Sequence, residues 1–310
     1  MEIGLDTPVE EGALVKASPR YEGSFTSFKL QYSLHKDLGD GDHGHTAVFC
    51  DYEEGEWNYR QFVSWFSEHL PSFALTPEEL SDVSDRNMIE KLERSAALMY
   101  GKKHKVDRRG EFGELILHGL IRDIYKTTPL ISKIYYKTAP GDTVKGADCV
   151  HLIEKNSDVD SIWLGEAKFY TNAKEGLAEA VKSVKDMLGR LSGREEFIVI
   201  KHHLKGNQAS IARKAEELLS DAVSLDKIKA KICVPILVTY ESDVVSTHTT
   251  DGSIFRNQLR AEIEPFIKSY LDKISSVKEV DVHVFLMPLK SKERLISTLD
   301  AFIDKKRSLF

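Results

Sequence analysis

Two carboxylates and a lysine stand out in VKGADCVHLIEKNSDVDSIWLGEAKFY, where Asp148 lies on one apparent strand and Glu166 and Lys168 form a Glu-x-Lys triplet on the next. Asn156, Ser157 and Asp158 are turn-favouring types, and a turn centred on Ser157 sets Asp148 opposite Glu166, each nine residues away. Directly opposed side chains approach to about 5 Å on one face, which suits two carboxylates sharing a divalent cation. The two-residue period of a strand puts Lys168 on the face of Glu166 and turns Ala167 away. Mg²⁺, with Mn²⁺ able to substitute, takes a few carboxylate oxygens and keeps several waters, so such a site can hold a phosphate oxygen and activate a water together. Lys168 is expected to orient that water or to stabilise the charge that develops at phosphorus.

A third carboxylate lies upstream, in RRGEFGELILHG, which opens the helix before the strands. Gly110 and Gly113 permit close approach of helix to sheet. Glu114 and His118 are one helical turn apart, so Glu114 is expected to reach the metal directly or through water with His118 in support; Glu111 is the alternative on that stripe. Plainer readings exist: Asp148 as a strand-edge residue, Glu166 and Lys168 as a surface ion pair, Glu114 as a solvated glutamate. The apolar neighbours in GADCVHL and IWLG oppose the first two, because an unpaired buried carboxylate is costly. The chain has a single Glu-x-Lys triplet, and its one Asp-x-Lys, at Asp304 and Lys306, lies on the last helix without a partner strand. A bare triplet carries little weight, but helix Glu, hairpin Asp and Glu-x-Lys in this order is the pattern of a PD-(D/E)xK nuclease.

The elements that must position these groups follow from hydrophobic period. Glu22 to Leu34 and Thr46 to Tyr52 alternate as a hairpin, with helices at Tyr59 to Leu70, after Pro77, and at Asn87 to Tyr100. This makes residues 1–100 a small α+β unit. Beyond the basic stretch KKHKVDRR come helix Glu111 to Tyr125, strands Ile131 to Thr138, Lys145 to Ile153 and Ser161 to Tyr170, helix Asn172 to Leu191 and strand Glu196 to His202. Helix Gln208 to Leu219, strand Lys231 to Tyr240, helix Phe255 to Ile274, strand Val280 to Pro288 and helix Lys292 to Lys306 complete it. The order predicts an α/β nuclease domain over 101–310, with a restriction-endonuclease-like core of mixed central sheet flanked by helices.

Composition narrows the classes. No run of about 18 apolar residues offers a membrane span, and the acidic start lacks a secretory signal, so a cytoplasmic protein is expected. Cys50, Cys149 and Cys233 form no CxxC pair, which argues against a disulfide framework or a zinc knuckle. A net charge of −6 argues against a protein that coats nucleic acid without specificity. GDGDHG at 39–44 matches a dinucleotide fingerprint in letters, but it joins two strands and opens no helix. Asp40, Asp42, His43 and His45 therefore read as a polar loop. His202 and His203 read as a polar strand end, and Lys174, Lys182 and Lys185 as a solvated helix face able to guide a DNA backbone. Tyr170 is placed to stack on substrate or simply to pack.

From GEFGELILHGLIRD through GADCVHLIEK to WLGEAKFY, the chain resembles the HamA family, the nuclease component of the Hachiman anti-phage defence system, over about residues 100–300. The family pattern carries over to Glu114, Asp148, Glu166 and Lys168. The resemblance implies a DNA nuclease held by a superfamily 2 helicase partner, HamB, as a heterodimer, and released when the helicase senses aberrant DNA. The competing readings are a catalytically silent nuclease fold that only binds or regulates, and a sequence-specific restriction-type endonuclease.

Overall fold

The computed structural model describes residues 31–36, 43–99, 108–132, 134, 146–204 and 210–307. In chain order, β1 (Gln31–Lys36) and β2 (Gly44–Phe49) pair antiparallel, followed by a two-stranded ribbon of β3 (Tyr52–Glu53) and β4 (Glu56–Trp57). Asn58 caps α1 (Tyr59–Ala74) by accepting from the Gln61 N–H (3.1 Å), and Phe62, Trp65, Phe66, Leu70 and Phe73 give that helix its buried stripe. A Thr76–Glu79 capping box starts α2 (Pro77–Ser81), and α3 (Met88–Met99) follows. Then come α4 (Arg108–Tyr125), β5 (Thr128–Ser132), β6 (Cys149–Lys155), β7 (Asp158–Phe169), α5 (Ala173–Ser192), α6 (Glu195–Leu204), α7 (Ser210–Leu218) and α8 (Leu225–Lys229). The chain closes with β8 (Ile232–Glu241), α9 (Asp243–Thr247), α10 (Ser253–Ile274), β9 (Asp281–Leu289) and α11 (Lys292–Arg307).

Seven strands form one mixed sheet in the order β1-β2-β9-β8-β7-β6-β5, as an α/β protein with helices on both faces requires. The β2–β9, β9–β8 and β8–β7 pairs are parallel; β1, β6 and β5 run antiparallel to their neighbours. Every residue of β8 but Glu241 is buried, as its unbroken apolar run dictates for a strand covered on both faces. Because β2 lies beside β9, the sheet takes strands from both sides of residue 100. The hairpin expected from residue 22 appears in its described part, 31–49; residues 22–30 and the loop carrying Asp40 and Asp42 lie outside the described residues. No helix among the described residues is long and apolar enough to cross a membrane.

One expected strand is a helix. Glu196 to His202 belongs to α6, whose buried Glu196, Phe197, Ile200 and Leu204 recur at helical spacing while Ile198 is 61% exposed. The β-branched run FIVI suggested a strand, but two acids in the first turn and Lys201, His202 and His203 in the last complement a helix dipole. His202 and His203 accordingly end a helix.

Buried polar groups tie the first hundred residues to this sheet. His151 on β6 lies 2.8 Å through Nδ1 from Thr127 Oγ1 and 3.0 Å through Nε2 from His118 Nδ1, and His118 Nε2 lies 3.0 Å from Ser72 Oγ on α1. Arg122 donates to the same Ser72 oxygen (2.5 Å). Asp123 accepts from Trp65 Nε1 (2.7 Å) and lies 3.2 Å from His69 Nε2. Burial pushes His118 well below the usual histidine range, with His151 and Arg122 adding to the effect. Burial, reinforced by Arg122, takes His151 down to about 3. Both rings are neutral in the fold, so below pH 6.5 the unfolded chain binds protons that the native chain does not.

For His151 the resulting stability is complete above its unfolded value and is lost as pH falls from 6.5 toward 3, by about 1.4 kcal/mol per pH unit, and His118 acts in the same direction. Urea unfolding between pH 6.5 and 4.5 should show this decline, and His151→Gln should flatten it. An unchanged slope in the variant would remove His151 as the cause.

Candidate active site

The hairpin that carries the carboxylates turns on Asn156 and Ser157, both in the left-handed region (φ 53° and 59°), the conformation whose twist matches flanking strands. Lys155 pairs with Asp158 and Glu154 with Val159; the register then shifts, and Ile153 pairs with Ser161. Asp160 is the extra residue of this bulge. From there the pairing continues to Cys149 and Gly165, the register that a turn centred on Ser157 predicts. Asp148 stands one residue before β6. Its N–H donates to the Gly165 carbonyl (2.8 Å) and its Oδ2 accepts from the Ala167 N–H (2.8 Å), so backbone and side chain together bracket Glu166. Asp148 is buried, at 6% exposure.

Glu166 and Lys168 share one face of β7. Lys168 Nζ donates to Glu166 Oε1 (2.9 Å), and Ser183 Oγ on α5 approaches the same oxygen at 3.5 Å. The register pairs Glu166 and Lys168 with Ile236 and Val238 of β8, and a Cβ on Gly176 of α5 would meet Val238 Cγ1 at 2.6 Å. The α5 helix thus covers the Glu166 face. Between strand and helix lies a cleft of about 280 Å³ lined by Gly146, Glu166, Lys168, Glu179, Lys182, Ser183, Asp186 and Arg190. The α5 members fall at helical spacing, a stripe that sequence reading recognised only at Lys182.

Glu114, His118, Tyr170 and Lys174 are not among the residues that line this cleft. A Cβ on Gly113 would lie 3.1 Å from Phe169 Cβ and 3.4 Å from Ala167 Cβ, so α4 seats on the opposite side of β7. Glu114, next to Gly113, is half-buried on α4 and does not line the cleft. His118 has its two ring nitrogens at Ser72 and His151. Tyr170 follows β7, accepting from Thr239 Oγ1 (3.0 Å) through its carbonyl and packing near Gly176. Lys174 is exposed in the first turn of α5, its N–H capped by Asn172 (2.9 Å).

Among the described residues, no three His, Cys, Asp or Glu side chains gather into a preformed metal cage. The donor set at the cleft nevertheless fits Mg²⁺, which takes one or two carboxylates and fills its shell with water and substrate phosphate. Asp148 and Glu166 supply hard oxygens beside an open polar cleft, and all three cysteines are buried thiols outside its lining.

A helix–three-strand–helix run feeding a mixed sheet, with Asp148 and Glu166-x-Lys168 on adjoining chain segments, defines an α/β protein with a restriction-endonuclease-like core. The sequence profile described as HamA matches residues 24–303, and the chain belongs to the HamA family. The match includes the first two strands, which share the sheet. The chain is also 23% identical over 259 residues to the Escherichia coli (strain K12) protein named Anti-bacteriophage protein A. That alignment covers 80% of this chain and 46% of the relative, so the chain spans about half the relative's length.

Since Asp148 accepts from a main-chain N–H, Asp148→Asn, whose amide oxygen still accepts, should unfold close to the parent. Asp148→Ala leaves the Ala167 N–H without that acceptor and should lose about 1–2 kcal/mol in urea unfolding. Equal stability of the two variants would contradict the bracket.

Proposed function

We propose that this protein is a Mg²⁺-dependent deoxyribonuclease that hydrolyses phosphodiesters in the cytoplasm, as the effector of an anti-phage defence complex. The carrying observation is the bracket of Asp148 around Glu166, with Lys168 bonded to Glu166 at the mouth of a polar cleft. Asp148 and Glu166 would hold the cation, with Glu114 contributing at most through water from the α4 side of the strand. The cation would polarise a phosphate oxygen and lower the pKa of a water. Lys168, held by Glu166, presents its ammonium to the attacking water or to the charge building on phosphorus-bound oxygens. Lys182 on the facing helix wall would grip a flanking phosphate.

The defence role draws on HamA membership and on the name of the E. coli relative. A helicase partner of the HamB kind, restraining the nuclease in a heterodimer until it meets aberrant DNA, follows from the family resemblance.

Plasmid incubated with purified protein should be cut with Mg²⁺ or Mn²⁺ and spared with chelator. Glu166→Ala and Lys168→Ala should each lower the rate at least 100-fold while circular dichroism stays unchanged. Parent-like cutting by both variants would sink the assignment.

A further inference from the structure

We infer that Glu196 is a positioning residue for Asp148, its buried carboxylate clasping the turn that carries Asp148 to Arg190 on the α5 wall of the cleft. The inference rests on the nuclease reading and adds to it a residue that lines neither strand nor cleft. Glu196 lies in the first turn of α6 and is 1% exposed. Its Oε1 accepts from the Ala147 N–H (2.7 Å), the residue immediately before Asp148. Its Oε2 accepts from Arg190 Nε (2.8 Å), and Arg190 lines the cleft with Glu166 and Lys168. One carboxylate thus ties the backbone beside the first proposed metal ligand to the helix facing the second.

The local backbone is built around this contact. Gly146 holds φ +115°, a conformation side chains disfavour, and a Cβ there would lie 3.1 Å from Glu196 Oε1 and 3.3 Å from Val199 Cγ1. The turn is pressed onto the carboxylate with no space between. A buried charge is costly unless paired and hydrogen-bonded. Glu196 meets both conditions, through the guanidinium and the N–H, and its place in the first turn of α6 favours negative charge. Arg190 occupies one carboxylate oxygen. The second oxygen is spent on the Asp148 turn, and partners that orient a metal ligand typically change metal affinity by 10–100-fold.

The test uses the full chain with Mn²⁺ as probe, measured by titration calorimetry beside thermal melting. Glu196→Ala removes both bonds and should weaken Mn²⁺ binding 10–100-fold. Glu196→Gln, with one accepting oxygen, should fall between this and the parent. Arg190→Met breaks the ion pair but leaves Ala147 its acceptor, so it should lower the melting temperature while weakening Mn²⁺ binding by less than 3-fold. Parent-like Mn²⁺ affinity in Glu196→Ala, with binding lost in Asp148→Ala, would overturn the inference and leave the metal site standing. Parent-like affinity in Asp148→Ala would overturn the metal reading and this inference with it. If Glu196→Ala does not fold, parent-like affinity in Glu196→Gln overturns the inference.

Discussion

The register of the β6–β7 hairpin is the constraint on which the site depends. Side chains alternate faces along a strand, so a slip of one residue would carry Asp148 out of line with Glu166. The two-residue Asn156–Ser157 turn alone sets a pairing one residue out of step with the one observed further along. The bulge at Asp160 restores the step, and the hydrogen bonds of Asp148 to Gly165 and Ala167 then fasten the far end. Turn, bulge and side-chain bond act in series over one hairpin.

That hairpin holds its place because helices press on its strand from both sides. Gly113 lets α4 settle against Ala167 and Phe169, while Gly176 lets α5 settle against Val238 beside Lys168. The β7–β8 pairing keeps a constant offset from Ile162 to Phe169 and is interrupted only beside Pro235, which has no N–H to give. The first hundred residues contribute to the same frame, through β2 alongside β9 and through α1, whose Ser72 reaches His118 on α4. A family match beginning at residue 24 accords with a sheet that begins with these strands.

Most of this frame was legible in the sequence where pattern and burial agree. The apolar run of β8, the amphipathic stripe of α5 and the turn types at Asn156 and Ser157 each specify their own element. Legibility failed where tertiary contacts decide. FIVI in α6 has the residue types of a strand, and what identifies it as a helix is the spacing of Glu196, Phe197 and Ile200, which bury against neighbours remote in sequence. Glu196 escaped notice for the same reason, since its partners Ala147 and Arg190 meet only in three dimensions. Helical spacing also sets Glu114 one turn from His118, while the two ring nitrogens of His118 lie at Ser72 and His151, partners that only the tertiary fold supplies. Helical spacing fixes which residues are neighbours and leaves open which polar partner wins.

The charge of the cleft bears on how such a site would meet DNA. The whole chain carries a net −6, so its far field repels a polyanion, and attraction must arise within a Debye length of about 8 Å at physiological salt. At that range Lys168, Lys182 and Arg190 are offset by Glu166, Glu179 and Asp186, three cations against three carboxylates. Without a metal the cleft is close to neutral and offers a phosphate little. A divalent cation held by Asp148 and Glu166 would turn the same lining net positive. In the proposed reading, the step that assembles the chemistry would also create the attraction for its substrate, and phosphate binding would follow metal binding.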